Sequence, residues 1–230
     1  MTQIYQNFFS KTVETIVCKE LCVERSGRRI FDNISFSIKA GEMLLIKGEN
    51  GIGKSTLLRV LAGLLHHQNG KIEYIGISDQ EDYPRHLHYL GHKDPIKSAL
   101  TVREQLDFWR AFLPSIFESN KERLSTFDVL KILDLNHAID VPGAYLSQGQ
   151  RRRISIARLL LSPRPLWILD EPTVGLDTQS EQIFMTLMQD HLNKGGMIIA
   201  STHIEMKNLP ATPMHLTQDG LIKIEEATVE

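Results

Sequence analysis

Residues 146–177 read LSQGQRRRISIARLLLSPRPLWILDEPTVGLD, and this stretch decides the fold. Ser147 and Gly149 open a basic helix, and the apolar strand that follows ends in two carboxylates, Asp170 and Glu171. The first turn of a helix carries unpaired N–H groups that attract anions. Open α/β sheets hold their ligands at the carboxyl ends of the strands. The stretch therefore predicts an α/β protein with two separate features directed at an anion.

A glycine-rich loop, GENGIGKST at residues 48–56, lies upstream of that stretch. It fits the pattern G-x-x-x-x-G-K-[ST], with an apolar strand (MLLIKG, 43–48) before it and a helix after it. In such a loop backbone amides wrap phosphate groups, Lys54 reaches the β- and γ-phosphates, and the Ser55 hydroxyl holds Mg²⁺. A chance match is the alternative, and the strand–loop–helix context disfavours it. We predict that ATP is bound by Gly48, Glu49, Asn50, Gly51, Ile52, Gly53, Lys54, Ser55 and Thr56.

The carboxylates of LWILDE are predicted to complete the site. Asp170, at the end of a buried strand, is expected to hold the Mg²⁺ ion, and Glu171 to act as the general base on an attacking water. Two solvated carboxylates are the alternative, which the upstream loop disfavours. His203 ends the next apolar strand, MIIASTH, where it can contact the γ-phosphate and orient that water. A lone histidine is usually structural, but this position favours a catalytic role.

The motif LSQGQ consists of Leu146, Ser147, Gln148, Gly149 and Gln150. It begins a helix far along the chain from the glycine-rich loop. Such an anion-recognising cap is expected to touch the γ-phosphate bound by a second copy of the chain. The arginines at 151–153 are interpreted as a solvated helix start rather than a nucleic-acid surface.

Composition narrows the function classes. The chain has 230 residues and a formal net charge of −2, so we expect no nucleic-acid partner. No apolar run reaches the roughly 18–20 residues that span a bilayer, and the N-terminus lacks the pattern of a secretory signal. A location in the cytoplasm is expected, with a membrane partner able to hold the protein at the membrane. Cys18 and Cys22 are interpreted as two reduced thiols in a half-buried strand.

The order of patterns predicts one domain over residues 14–228 after a short extension, 1–13. Strand-like runs and helices alternate, which favours a parallel sheet, and hairpin-like strands near the N-terminus add an antiparallel piece. Residues 93–158 have helical apolar spacing and few strand formers, so we expect a helical insertion there.

The ordered set GENGIGKST, LSQGQ, LWILDE, VGLD and STH resembles the nucleotide-binding subunits of ABC transporters over about residues 15–225. The resemblance implies a P-loop NTPase (RecA-like) core with an N-terminal antiparallel β piece and a helical insertion. It implies a head-to-tail dimer with two ATP molecules between the glycine-rich loop of one subunit and the LSQGQ signature of the other. Asp177 then belongs to the D-loop beside the nucleotides, and an integral membrane permease is the partner that hydrolysis drives.

Two departures from the common pattern narrow the resemblance. His92 stands at the Q-loop position, where most such subunits carry glutamine, and Arg25 stands where an aromatic residue stacks on adenine. An arginine plane can stack on the base instead. With YLGH and LSPRPLWILDEP, these features are similar to the haem-exporter ATPase subunits of bacterial cytochrome c maturation. LSQGQ in place of LSAGQ, and VGLD, are closer to general transporter usage.

This narrower resemblance implies a peripheral subunit on the cytoplasmic face of the inner membrane. It fits either haem export or ATP-driven release of a haem-loaded periplasmic chaperone. An ATPase subunit for another small substrate is the alternative. A soluble ABC protein acting on ribosomes or DNA is disfavoured, because the chain has neither a second cassette nor a long coiled coil.

Overall fold

A computed structural model of the chain describes residues 13–25, 27–77, 79–113, 124–202, 206, 209–217 and 222–224. The chain divides into two compact units. The core unit comprises the described parts of residues 1–91, 165–172 and 188–230, and the insertion unit those of 92–164 and 173–187. No helix in the described ranges has the length and apolarity required to span a membrane.

The core unit contains a three-stranded antiparallel sheet of order β2-β1-β4. Its strands are β1 (Thr15–Arg25), β2 (Arg28–Lys39) and β4 (Asn69–Ile75). Alternate residues of β2 are buried, including Ile34, Phe36 and Ile38, as expected of a sheet that packs on a core with one face. The predicted antiparallel piece is therefore present.

A second sheet of the core unit has the order β5-β6-β7-β3-β8-β9, and all neighbours are parallel except β8 and β9. Its strands are β3 (Met43–Lys47), β5 (Leu87–Leu90), β6 (Leu166–Asp170), β7 (Met197–Ser201), β8 (Ala211–Leu216) and β9 (Ile222–Ile224). Every residue of β6 and β7 is buried, since strands covered on both faces expose neither. The predicted α/β fold is confirmed.

Strand β8 lies beside β3, although no strand is predicted from the sequence for residues 211–216. The segment ATPMHL has no apolar run, and Pro213 has no N–H to donate to a neighbouring strand. Its place in the sheet comes from pairing with β3 and from burial of Met214 and Leu216. Tertiary contacts therefore override the weak local pattern.

Helix α1 (Lys54–Leu61) lies in the apolar core that both sheets share. Leu57, Leu58 and Leu61 are at most 1% exposed and belong to one cluster with residues of both sheets. Because α1 is packed on several sides, the position of its N-terminal end is fixed. The glycine-rich loop joins directly to that end, so its position is fixed as well.

A buried histidine stabilises the junction between β6, β7 and helix α5 (Thr178–Asn193). The His191 ring stacks on Trp167, with 3.9 Å between ring centroids, and its Nε2–H donates to the carbonyl oxygens of Pro165 (3.1 Å) and Met197 (3.3 Å). Burial lowers the pKa of His191 to about 3, so the ring is neutral at physiological pH. Gly196 leaves room for this ring, because a Cβ there would lie 2.3 Å from Nε2.

We expect Gly196→Ala to lower the free energy of unfolding by about 1–3 kcal/mol, the usual cost of overpacking a core. The added methyl group must displace the His191 ring from both carbonyl oxygens. Urea denaturation of Gly196→Ala measures the cost, and the same substitution in a His191→Ala background is the control. Since that background removes the clash, the cost of Gly196→Ala should fall there. An equal cost in both backgrounds would contradict this explanation.

The insertion unit packs helices α2 (Val102–Phe112), α3 (Thr126–Ile132) and α4 (Gln148–Leu161) against one another, and α5 begins in it. It extends beyond the predicted insertion at 93–158, because residues 173–187 group with it. One contact explains this: a Cβ on Gly149 would lie 3.2 Å from the Gly175 carbonyl oxygen. The VGLD segment therefore packs on the LSQGQ segment.

Candidate active site

The glycine-rich loop runs from the end of β3 to the start of α1. Gly48 and Gly53 have φ angles of +145° and +120°, in the range that glycine favours. A Cβ on Gly48 would lie 2.8 Å from the Leu216 carbonyl oxygen, and one on Gly53 would lie 2.8 Å from Ile30 Cγ2. Both positions therefore require glycine for the turn and for the close approach of their neighbours.

Lys54 lies at the first position of α1 and is 7% exposed. Its Nζ donates to the carbonyl oxygens of Gly48 (2.6 Å) and Glu49 (3.0 Å), so the ammonium group lies inside the curve of the loop. The N-cap of α1 is Gly53, which has no side chain to cap the helix, and the first turn of α1 contains no acidic residue. The amides of that turn and the lysine charge together favour an anion at this point.

Asp170 is 2% exposed and lies at the carboxyl end of β6. Its Oδ1 accepts hydrogen bonds from Ser55 Oγ (3.0 Å) and Ser201 Oγ (2.8 Å), and the Tyr89 hydroxyl lies 3.5 Å from its Oδ2. The Ser55 hydroxyl and the Asp170 carboxylate are adjacent hard oxygen donors, which suits Mg²⁺. No group of three or more His, Cys, Asp or Glu side chains in the described ranges is placed to hold a metal. Two protein ligands, with phosphate oxygens and water, match the usual way in which proteins hold Mg²⁺.

Glu171 follows Asp170 with a φ angle of +48°, which is uncommon for a residue other than glycine. Its backbone N–H donates to the Ser201 carbonyl oxygen at 3.0 Å, so the chain is still tied to β7 where it turns. Backbone strain of this kind concentrates at functional sites. The turn allows Asp170 and Glu171 to line one cavity of about 200 Å³. That cavity is also lined by Asn50, Gly51, Gly53, Lys54, Ser55 and Thr56.

A larger cavity of about 570 Å³ lies beside the loop's residues 49–52. Arg28, Arg29 and Ile30 also line it. Arg25, the residue predicted to stack on the base, is exposed at the end of β1 and does not line this cavity. The turn between β1 and β2 instead brings Arg28 and Arg29 there. Arg29 is held by Asp32, whose Oδ2 lies 2.7 Å from its Nη1.

The signature segment forms a reciprocal helix cap in the insertion unit. Ser147 is the N-cap of α4: its Oγ accepts from the Gln150 N–H (3.2 Å), and Gln150 Oε1 accepts from the Ser147 N–H (2.9 Å). Since the hydroxyl oxygen acts as an acceptor here, its hydrogen remains able to donate to an outside group. Arg151 steadies the approach by donating to the Leu146 carbonyl oxygen at 3.2 Å. The segment is thus built to present a hydroxyl and first-turn amides to an anion.

The interpretation of residues 151–153 as a solvated helix start is wrong. Arg152 is 3% exposed and lies 3.2 Å from Asp94, while Arg153 Nη1 donates to the carbonyl oxygens of Leu133 (3.1 Å) and Asp134 (3.3 Å). Those carbonyls lie at the end of α3, where a cation compensates unpaired acceptors. Arg152 and Arg153 therefore join α4 to other segments of the insertion unit.

The remaining predicted site residues lie in different settings. Asp177 caps α5 by accepting from the Ser180 N–H at 2.7 Å, and this hydrogen bond holds the pKa of Asp177 below its usual range. His92 is exposed at the start of the insertion unit. His203 lies outside the described residues, so its predicted role remains a prediction.

Two residues that contact Asp170 were missed at the level of sequence. Ser201 pairs with Asp170 in the register of β6 and β7, so aligning the carboxyl ends of the two predicted strands would have found it. Tyr89 lies one strand away, on β5, and only the strand order brings it near. Burial raises the pKa of Tyr89, which keeps its hydroxyl protonated and able to donate.

Comparison with known proteins identifies a matching family and similar proteins of known name. A family model described as ABC transporter matches residues 31–174. The cytochrome c biogenesis ATP-binding export protein CcmA of Bradyrhizobium diazoefficiens is 46% identical over 186 residues, which cover 81% of this chain and 90% of that protein. The protein of the same name from Rhizobium johnstonii is 47% identical, over 80% of this chain and 85% of that protein.

Solved structures give the same fold. The ATP-binding subunit of an ABC transporter aligns with a TM-score of 0.79 and 26% identity, covering 93% of this chain and 90% of that one. A putative ABC transporter ATP-binding protein from Pyrococcus furiosus aligns with a TM-score of 0.73 and 23% identity, covering 88% and 97%.

Proposed function

The chain belongs to the ABC transporter family, and on that premise we propose that it is the ATP-hydrolysing subunit of an exporter for cytochrome c biogenesis. One observation carries the catalytic part of the proposal: Lys54, Ser55, Asp170 and Glu171 line a single cavity at the N-terminus of α1. A cation, a hydroxyl, a buried carboxylate and a second carboxylate are the groups that phosphoryl transfer to water requires. The names of the relatives support the biological setting.

In the proposed site, ATP is the substrate and the glycine-rich loop binds its phosphates. The first-turn amides of α1 and the Lys54 ammonium group stabilise the charge on the β- and γ-phosphates. Ser55 and Asp170 would hold Mg²⁺, which neutralises phosphate charge when bound. Ser201 donates a hydrogen bond to Asp170 and keeps that carboxylate oriented. Glu171 accepts the proton of the attacking water, and His203 orients that water.

Base binding is proposed for the larger cavity beside residues 49–52. Its wall carries two guanidinium groups and the apolar side chain of Ile30, so stacking and apolar contact can replace an aromatic ring. From the sequence, Arg25 is the residue predicted to stack on the base. Arg28 and Arg29 are better supported, because they line the cavity and Arg25 does not.

A second copy of the chain completes the site in this proposal. The Ser147 hydroxyl and the first-turn amides of α4 bind the γ-phosphate held by the glycine-rich loop of the partner subunit. The reciprocal cap supports this role because it leaves the hydroxyl hydrogen for an outside acceptor. Asp177, next to the signature through Gly149 and Gly175, is placed by the same proposal at the contact between the copies.

Membership of the ABC transporter family implies membrane partners for this chain. We propose an integral membrane permease of the cytochrome c maturation system as the partner. The ATPase would then bind as a peripheral protein at the cytoplasmic face of the inner membrane. ATP hydrolysis would then drive either the export of haem or the release of a haem-loaded chaperone. A permease for another small substrate is the alternative function.

A complementation experiment tests this proposal. In a bacterial strain that lacks its own cytochrome c biogenesis ATPase, wild-type protein should restore c-type cytochromes with covalent haem, whereas Lys54→Ala should not. Arg103→Gln is a matched control, since Arg103 forms an exposed ion pair far along the chain from the proposed site. Haem staining of membrane proteins measures the result. Restoration by Lys54→Ala, or co-purification with an unrelated permease alone, would refute the proposal.

The same strain distinguishes haem export from ATP-driven release of a haem-loaded chaperone. With Lys54→Ala, a periplasmic chaperone that still carries haem indicates that ATP drives release. A chaperone without haem indicates that ATP drives haem export.

A further inference from the structure

An ion pair in the insertion unit joins the segment after His92 to the helix that begins at the signature. Arg152 Nη1 lies 3.2 Å from Asp94 Oδ1, and the Arg152 side chain is 3% exposed. Asp94 follows His92 by two positions, and Arg152 lies near the start of α4. A charge this deeply buried is costly unless it is paired, so each side chain fixes the position of the other.

The chain after Asp94 is also anchored to the approach to the signature. Two backbone hydrogen bonds, of 2.8 and 2.9 Å, join residues 98–100 to residues 143–144. The buried amide of Gln105 accepts from the Lys97 N–H at 3.0 Å and ties the same segment to α2. A displacement of this segment must therefore move the start of α4 with it, or separate the buried Arg152 from the partly buried Asp94.

We infer that Asp94 and Arg152 are positioning residues for the signature. They hold residues 147–150 in the orientation that binds ATP on the second copy. Through this ion pair, a movement of the segment at His92 also moves the helix cap at residues 147–150. This inference rests on the proposed function, because it requires the signature to act across a dimer. It goes beyond that function by assigning a physical link between the exposed segment at His92 and the cap.

The insertion unit offers a matched control pair. Arg103 and Asp140 form an ion pair at 3.0 Å, but their side chains are 50% and 72% exposed. A surface pair of this kind contributes little, since both charges are solvated when it breaks. The two pairs therefore share chemistry and differ in burial.

The test separates ATP binding from dimer formation. Asp94→Asn, Arg152→Gln and Arg103→Gln are made in a Glu171→Gln background, which is proposed to retain ATP. Fluorescence of an ATP analogue measures nucleotide affinity at low protein concentration, and analytical ultracentrifugation measures the ATP concentration at half-maximal dimer. Asp94→Asn and Arg152→Gln should raise that midpoint about tenfold or more, with nucleotide affinity of the monomer unchanged. Arg103→Gln should alter neither quantity.

A double variant, Asp94→Ala with Arg152→Met, separates positioning from stability. Removing both charges avoids an unpaired buried charge, so its unfolding temperature should lie closer to the reference than that of either single variant. Its dimer midpoint should stay raised because the link is gone. A normal midpoint in this double variant would overturn the inference alone. Absence of an ATP-dependent dimer in the Glu171→Gln reference would refute the proposed dimer itself.

Discussion

Glu171→Gln is expected to bind ATP with normal affinity, to lose steady-state hydrolysis by about 10²–10⁴-fold, and to accumulate as an ATP-dependent dimer. The amide matches the carboxylate in shape but cannot accept a proton from water. The groups proposed to bind phosphate and Mg²⁺ remain in place, among them Lys54, Ser55 and Asp170. Because hydrolysis is the step that releases the closed dimer in this proposal, blocking it should trap that dimer.

Phosphate release and analytical ultracentrifugation on the same samples measure both parts of this prediction. Glu14→Gln is the matched control, since it makes the same chemical change at an exposed position before β1. The φ angle of +48° at Glu171 adds a second comparison, Glu171→Gly, which relieves backbone strain and also removes the base. Both Glu171 variants should be inactive. Hydrolysis near the wild-type rate in Glu171→Gln would remove Glu171 from the role of base.

The parts of the site that could be predicted from sequence are those that local geometry determines. The loop at 48–56 carries its glycines, lysine and hydroxyl within nine residues, and a buried strand such as β6 shows its apolar run directly. Residues that follow the carboxyl ends of parallel strands lie at one edge of the sheet, even though β7 lies between β3 and β6. That is why Ser55, Asp170 and Glu171 reach one cavity as expected.

The parts that could not be predicted depend on contacts between segments distant in sequence. A run of three arginines is typical of a solvated helix, and nothing local indicates that Arg152 meets Asp94. The lining of the larger cavity depends on distant contacts in the same way. Arg28 and Arg29 line it together with residues 49–52, whereas Arg25, which pairs with Arg28 in the β1–β2 hairpin, does not.

Mixing Ser147→Arg with Lys54→Ala is expected to restore ATPase activity that neither variant has alone. In a head-to-tail dimer each site combines the glycine-rich loop of one subunit with the signature of the other. Ser147→Arg replaces the hydroxyl donor with a large side chain, and Lys54→Ala removes the phosphate-binding cation. Each homodimer therefore has two defective sites. A mixed dimer has one intact site, formed by the loop of the Ser147→Arg chain and the signature of the Lys54→Ala chain.

Equal mixing gives half mixed dimers, each with one of two sites intact, so about a quarter of the wild-type rate is expected if the sites act independently. The control mixes Ser147→Arg with a chain that carries both substitutions, which supplies no intact signature and should give no activity. Single-turnover measurements with protein in excess cover the case in which repeated turnover needs both sites, since one intact site can still cleave its ATP once. If the mixture cleaves no ATP even then, Ser147 does not act on the nucleotide of a partner subunit. If Ser147→Arg alone is fully active, the signature does not contact the γ-phosphate.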